Sequence, residues 1–440
     1  MSKILLGNIL TAELVGEGAR YPSEGLEGIG ICSQRVLWGA DDFDIVVLPI
    51  APAREFAEYV TDLTQTDLQS LAFVETPVGY PGRGTVSAAC ARNRSFLAQF
   101  GELAVEHKVS KVAPYYFDQV AAAISHAARV AETTPGFGFA DEGGVRMLNS
   151  KAHFRAIARA AGIPIAEGVV TTDPDHAADY AAQEIAAGRA VIVKQHRQCG
   201  GNGNEVLHPL PDDEAIGALT AVHLSSKHEV LWHLASNWPR YSDGGRERVV
   251  IESYVPGCLP VYLEFNLSHD GIQKFGRGEM LMSPTNDGIA VPGGITEISG
   301  YEGFRTDALK LAETVRSLGY RGFMSVDGMA TPSGPVLVNE INVRDGGSTH
   351  VHHLAERVLG IAAQGGKHIV TKVRHTDHNF SDTRKRIEAN GLDFDHAAKT
   401  GVIVTMAVTP SQKFEYTAIG NSATEATEFA TALEEEFHSA

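Results

Sequence analysis

Long apolar runs, paired cysteines and an excess of positive charge are all missing from this chain, and each absence removes a class of function. No stretch approaches the ~18 consecutive apolar residues of a membrane span. The N-terminal run MSKILLGNILTAEL is short and is broken by Gly7, Asn8, Thr11 and Glu13, so no signal peptide and a cytoplasmic location are expected. The four cysteines, Cys32, Cys90, Cys199 and Cys258, lie far apart, which argues against a disulfide framework or a zinc site and fits a reducing compartment. A formal net charge of −17 excludes a general nucleic-acid or anionic-membrane binder, although local cationic clusters can still hold phosphate. There is no internal repeat, low-complexity tract or long linker. What remains is a 440-residue globular composition, enough for roughly two to four domains at about 100–200 residues each.

The first part of the chain reads as alternating α/β. Ile4-Leu5-Leu6 and Ile45-Val46-Val47-Leu48 are continuous apolar runs of the kind that form buried parallel strands, with helical segments expected around Arg54–Thr61 and Phe117–Val130. The glycine loop Gly79–Gly84 lacks dinucleotide-binding spacing and reads as a turn. Ser33-Gln34-Arg35 is either a carboxylate-binding group or a surface arginine. At Ser150 the pattern sharpens: a serine cap opens a helix over Lys151–Ala161, and Pro174–Ala187 forms a second helix. The strand Ala190–Lys194 then ends in a lysine and runs into a glycine loop, Gly200-Gly201-Asn202-Gly203, before another strand at Glu205. Glycines let backbone N–H groups approach an anion and Lys194 adds a point charge, so the pair is either a phosphate site or a plain hairpin with a surface lysine.

Further on, Val249–Val255 is a strand closed by Pro256-Gly257, and Leu259–Leu267 alternates cleanly, with Tyr262, Glu264 and Asn266 on its polar face. Asp287–Gly294 is glycine-rich and is expected to be a mobile loop, and residues 304–318 form an amphipathic helix. Gly322–Gly347 then reads as a hairpin turning at Thr331–Pro335. That register places Asp327 opposite Glu340, with Asn342 on the same face as Glu340. Three oxygen donors converging on one face suit a hard cation such as Mg²⁺, and the same pattern also fits an ordinary solvated sheet face. His350, His352 and His353 lack metal spacing and read as the start of a helix. The tail carries a strand at Val402–Val408 and an acidic helix at Ala423–Phe437.

Taken in order, the helix-initial lysine, the strand-end lysine with its glycine loop, the ESYVPG strand end and the oxygen-donor hairpin resemble the ATP-grasp superfamily over about Asn149 to Leu359. The resemblance implies an α/β and α+β chain. An α/β pre-ATP-grasp domain would span 1–145, an ATP-grasp domain 146–365 and a small C-terminal domain 366–440. It implies that Lys151 and Lys194 hold the ATP phosphates, that Gly200, Gly201 and Gly203 cover them, and that Glu252, Ser253, Tyr254 and Val255 meet the adenine. Asp327, Glu340 and Asn342 would carry Mg²⁺. Arg344 completes an E-x-N-x-R run like that of biotin carboxylase and would stabilise the transferring phosphoryl group. Two positions depart from D-alanine–D-alanine ligases: Leu259 stands where they carry a ribose-binding glutamate, for which Glu264 would substitute, and Ser325 where they carry an arginine. The overall layout is similar to that of the pheganomycin-type peptide ligases. It implies ADP-forming ligation of an amino or guanidino acid carboxylate to the amine of a peptide, with Glu264, Glu279 or Glu297 facing a cationic acid. Dipeptide-type synthesis and a non-catalytic ATP-binding module are the alternatives. A homodimer is the default expectation.

Overall fold

In the computed structural model, residues 2–15, 23–198, 200–210, 215–332, 334–360 and 365–438 are described; Cys199 of the glycine loop and Ser333 of the hairpin turn lie outside them. The N-terminal strands β1 (Ser2–Leu6), β2 (Ile45–Leu48), β3 (Ala72–Glu75) and β4 (Val109–Pro114) form a parallel sheet in the order β3-β2-β1-β4. The continuous apolar runs of β1 and β2 are explained by cover on both faces. Ile4, Leu6, Ile45 and Val47 pack with Phe96, Phe100, Val120 and Ile124 from the helices Arg94–Glu106 and Gln119–Ala127. Leu5, Val46 and Leu48 pack instead with Phe56 and Val60 of the helix Arg54–Thr64. Each such fully buried side chain stabilises the fold by roughly 1.5–3 kcal/mol relative to exposure.

A second sheet contains β5 (Gly168–Thr171), β6 (Val191–Gln195), β7 (Asn204–His208), β8 (Thr220–His223) and β9 (Val249–Ser253), in the order β5-β9-β6-β7-β8. Its strands are antiparallel neighbours except the parallel β7–β8 pair. Val191 and Val193 face the helices Pro174–Ala186 and Lys227–Tyr241. Alternation along β6 sends Ile192 and Lys194 to the opposite face.

The third sheet is antiparallel and eight-stranded. It is built from β10 (Leu259–Leu267), β11 (Ile272–Met282), β12 (Asn286–Val291), β13 (Gly322–Ala330), β14 (Val336–Asn342), β15 (His368–His375), β16 (Gly401–Met406) and β17 (Lys413–Gly420). Their order is β14-β13-β10-β11-β12-β15-β17-β16. Leu263 and Phe265 of β10 pack under the helix Tyr301–Ser317 through Phe304, Leu311 and Val315, while Tyr262 joins the other core. One expectation is corrected here. The segment expected to be a mobile loop at Asp287–Gly294 is largely strand β12, hydrogen-bonded between β11 and β15, followed by a short 3₁₀ turn at Gly293–Thr296. The strands of the segment from residue 366, expected as a small C-terminal domain, join this same sheet, because β15 pairs directly with β12. No described helix is long and apolar enough to cross a membrane.

Candidate active site

The second and third sheets face each other across a cavity of about 310 Å³. Each of its polar groups arrives for a local reason. The Ser150 hydroxyl accepts from the His153 N–H at 3.1 Å and caps the helix Lys151–Ala160, which fixes Lys151 at the first position. The Lys151 ammonium donates to the Gln198 carbonyl at 2.8 Å and pairs with Glu340 at 3.0 Å. Gln198 sits at φ 120°, a backbone region that L side chains rarely adopt, on the approach to the glycine loop. Lys194 donates to Asn339 Oδ1 at 2.6 Å and to Glu252. Gly201 adopts φ +81°, and a Cβ there would stand 2.9 Å from the Gly217 carbonyl oxygen, so the loop requires glycine at this point.

The hairpin β13–β14 has the register read from its turn: Asp327 lies opposite Glu340. Asp327 accepts from Ser325 Oγ at 3.0 Å and from Asn342 Nδ2 at 2.8 Å. Arg344 donates to Asn342 Oδ1 at 2.8 Å, and its guanidinium lies 5.9 Å from the centre of the Tyr115 ring. Burial and then the Glu340 charge push the Asp327 carboxyl up. Burial also works against the Glu340 charge, yet the Lys151 ammonium, with Lys194 and Arg344, outweighs it and holds Glu340 below the usual carboxylate range. Two carboxylates forced together in this way, one of them raised by the other, are the arrangement a bound cation relieves. Asp327 and Glu340 therefore fit a hard divalent ion. Asn342 is oriented otherwise, with its nitrogen toward Asp327 and its oxygen toward Arg344, so serving as a ligand requires its amide to turn by half a rotation. Among the described residues no cluster of three or more His, Cys, Asp or Glu side chains could hold a metal. The donor set is two carboxylates and one amide.

The remaining wall is apolar, lined by Ile216, Tyr254, Met280, Met282, Ile289 and Met329. Tyr254 and Val255 line this cavity, but Glu252 and Ser253 do not. The reason is strand geometry. Glu252 faces its diagonal neighbour Lys194 across the β6–β9 pair and also accepts from Arg155, forming a buried ion-pair triad. Ser253 turns to Tyr180 and Glu184, and its N–H is held by the Glu167 carbonyl. The Tyr254 N–H is likewise held by Ala190, leaving Tyr254 to contribute its ring.

A second cavity, of about 790 Å³, lies between the first and third sheets, lined by Lys3 and Leu5 of β1, residues 111–114 of β4, and Gly322 and Phe323 of β13. Tyr115, Arg344 and Gly346 line both cavities. The Tyr115 N–H donates to the Leu6 carbonyl at 2.9 Å, and Asn8 is bonded to both the N–H and the carbonyl of Tyr116, so the loop after β4 is fixed against β1. On the far wall, Arg35 and His350 both bond to Glu415 of β17, which also accepts from Thr405 at 2.8 Å. Arg35 is thus a cavity residue clamped by a buried carboxylate. Burial opposes the Glu415 charge, but Arg35 and His350 outweigh it and lower its carboxyl to about 2. Glu264, Glu279 and Glu297, expected to face a substrate or the ribose, line neither cavity. Glu264 is only 1% exposed, bonded to Ser348 and Thr349, and pushed up to about 7 by burial.

Residues 33–130 match the family model described as the Pre ATP-grasp domain, and residues 383–433 match that of the PGM1 C-terminal domain. Solved structures match along nearly the whole chain. N5-carboxyaminoimidazole ribonucleotide synthetase from Thermus thermophilus aligns at 16% identity and a TM-score of 0.56, covering 99% of this chain and 98% of its own. The Staphylococcus aureus N5-carboxyaminoimidazole synthetase complexed with ADP aligns at 13% identity and 0.55, covering 98% and 96%. The biotin carboxylase domain of the Hydrogenobacter thermophilus 2-oxoglutarate carboxylase, solved with MgADP, ADP and bicarbonate, aligns at 14% and 0.54, covering 98% and 89%. The fold is ATP-grasp. No curated protein matches the chain.

Within the ATP-grasp fold, the smaller cavity gathers Lys151, Lys194, Gly200, Gly201, Gly203, Tyr254, Val255, Asp327, Glu340, Asn342 and Arg344 on one surface. Three of its members escaped the sequence: Asn339, which holds Lys194; Gln198, which holds Lys151; and Tyr115, contributed by a different sheet. Asn339 adjoins Glu340 in the same strand, β14. Tyr115 carried no local signal.

Proposed function

We propose that the chain is an ATP-dependent carboxylate–amine ligase that activates an acid as its acyl phosphate and joins it to the amino group of a peptide, releasing ADP and phosphate. The observation that carries this is the meeting of the two cavities at Arg344. One holds two lysines, a glycine loop and a pair of carboxylates, and the other is large enough for a second and third reactant. The apolar wall with Tyr254 and Met329 receives the adenine ring. Lys151 and Lys194 place fixed positive charge beside the phosphates, where the transition state is negative. Asp327 and Glu340 hold Mg²⁺, with Asn342 joining after its amide turns. Such an ion would supply positive charge beside the phosphates. Lys151, paired with Glu340 at 3.0 Å, stands next to the proposed cation site, where its ammonium would be available to phosphate. Arg344 orients the acid at the seam between the cavities, and the Gly200–Gly203 loop excludes water that would hydrolyse the activated acid.

A peptide acceptor is favoured over a single amino acid by volume, since 790 Å³ exceeds what one small acid and one small amine occupy and lies in the upper range of ligand pockets, about 300–1,000 Å³. The test is hydroxylamine trapping. The protein is incubated with ATP, Mg²⁺, hydroxylamine and a panel of amino and guanidino acids, and hydroxamates are sought by mass alongside ADP. A hydroxamate that disappears in Glu340→Gln supports carboxylate activation and names the acid. Absence of any hydroxamate, together with absence of Mg²⁺-dependent ATP binding, refutes the ligase.

A further inference from the structure

Formation of an amide needs a neutral amine, yet an amine substrate near pH 7 arrives largely as an ammonium. Asp345 stands where that proton could go. It follows Arg344 directly and lines the larger cavity beside Arg344 and Gly346, on the wall nearest the nucleotide cavity. Its backbone is fixed: the Asp345 N–H donates to the Tyr115 carbonyl at 3.0 Å, and its carbonyl accepts from Arg344 Nη1 at 3.0 Å. Its carboxylate, by contrast, accepts no hydrogen bond and forms no ion pair among the described residues. The other carboxylates named at this junction each hold at least one partner, although Glu264 Oε2 is buried without one. Asp327 is bonded to Ser325 and Asn342, Glu340 is paired with Lys151, and Glu264 is bonded to Ser348 and Thr349.

We propose that Asp345 receives the ammonium of the amine substrate in the larger cavity and takes its proton as the amine attacks the activated acid. The proposal deepens the ligase reading and rests on it. One proton passes from the ammonium to an Asp345 carboxylate oxygen. The freed nitrogen lone pair forms the C–N bond, and the C–O bond to phosphate breaks with its electron pair leaving on phosphate. The second proton lost by the nitrogen leaves with phosphate as hydrogen phosphate, so charge and atoms balance. Asp345 is suited to this role. Burial, then the Glu264 charge from β10, push its carboxyl up to about 8, with Arg344 opposing them. Tyr320, ahead of β13, also faces it, and Arg35, Lys111 and His350 line the same cavity. A proton acceptor works best when its pKa lies near the working pH, and such a group contributes typically about 10²–10⁴-fold.

The test uses the full chain and Asp345→Asn, which keeps the shape and removes the charge. Triglycine and hydroxylamine compete in one tube, with ATP, Mg²⁺ and the acid that traps best. Hydroxylamine is largely neutral near pH 7 and needs no proton acceptor. The ratio of amide to hydroxamate is therefore expected to fall about 10²–10⁴-fold in Asp345→Asn. The remaining amide formation should rise tenfold per pH unit toward the amine's own titration, and Asp345→Glu should recover part of the ratio. An unchanged ratio overturns the proposal, because loss of a merely structural residue lowers both products together. A second arm needs no turnover. Calorimetry of triglycine against N-acetyl-triglycine should show at least tenfold tighter binding of the free amine to the wild type, and equal binding of the two to Asp345→Asn. Equal binding by the wild type removes the role of Asp345 alone. No hydroxamate from the wild type, together with no Mg²⁺-dependent ATP binding, removes the ligase reading and the proton transfer with it.

Discussion

Glutamine at position 340 changes one charge and almost no volume, and its consequences separate the nucleotide-free protein from the loaded one. In the free protein two effects oppose. The Lys151–Glu340 pair at 3.0 Å is lost; its side chains are 13% and 20% exposed. At an effective dielectric of about 20, charges ~4 Å apart attract by about 4 kcal/mol, much of which is offset because position 340 no longer buries an ion. Lys151 also keeps its hydrogen bond to the Gln198 carbonyl. Against this loss, Asp327 is freed from the neighbouring charge that raises its carboxyl. The net change in stability is expected to stay within about 1–2 kcal/mol, inside the range of ordinary substitutions. Ligand-induced stabilisation is a different matter. A protein at a hundredfold excess of ligand over Kd gains about 2.7 kcal/mol. Loss of groups that merely orient a metal ligand costs roughly 10–100-fold in metal affinity, so loss of a direct carboxylate should cost at least about 100-fold. At the same ATP and Mg²⁺ concentrations the variant then gains only about 0.4 kcal/mol. Thermal melts of both proteins with MgATP and with ATP plus EDTA measure this directly. A Glu340→Gln variant that keeps the full MgATP-dependent rise in Tm would refute the cation site.

Two further outcomes follow from buried carboxylates elsewhere. Glu205 accepts from His233 at 2.7 Å, from Thr220 and Arg240 at 2.8 Å each, and from Tyr241. Burial opposes its charge, but these partners outweigh it and bring its carboxyl to about 2. Since that folded value lies below the ordinary 4.5, its contribution is complete above pH 4.5 and is lost as the pH falls toward 2. Glu205→Ala should therefore lower stability at pH 7 by roughly 3–5 kcal/mol and flatten the acid limb of a Tm–pH curve, whereas an unchanged acid limb would count against the assignment. Glu415→Ala should leave Arg35 and His350 without their shared anion on the wall of the larger cavity. Amide formation should fall while the MgATP-dependent rise in Tm persists, and a parallel loss of both would show a general unfolding instead.

The parts of the site carried by regular elements were readable from residue order. The hairpin register put Asp327 opposite Glu340 because a turn cluster and period-two alternation leave little freedom. Lys194 and its glycine loop followed from a strand ending in a cation. What escaped depends on pairing between distant segments. Glu252 lies 58 residues from Lys194, and only the β6–β9 alignment reveals that its carboxylate faces inward to a cation triad rather than outward to a ligand. Asn286–Val291 contains Asn, Asp and Gly, poor strand formers; it is a strand because β11 and β15 supply partners on both sides. The larger cavity was invisible for the same reason. Arg35, Tyr115 and Asp345 come from different parts of the chain and share no local pattern.

The eight-stranded sheet also sets an order in time. During synthesis, β12 gains a partner on its open side only when β15 emerges, and β15 is covered in turn only by β17. Glu415, which clamps Arg35, lies 380 residues after it, an interval of about 20–75 s at roughly 5–20 residues per second. Until then the edge of β12 is open and Arg35, in the larger cavity, lacks its anion. A nascent chain can thus complete its nucleotide cavity, whose last lining residue is Ser348, before Glu415 clamps Arg35, so the capacity to hold ATP should precede the capacity to spend it.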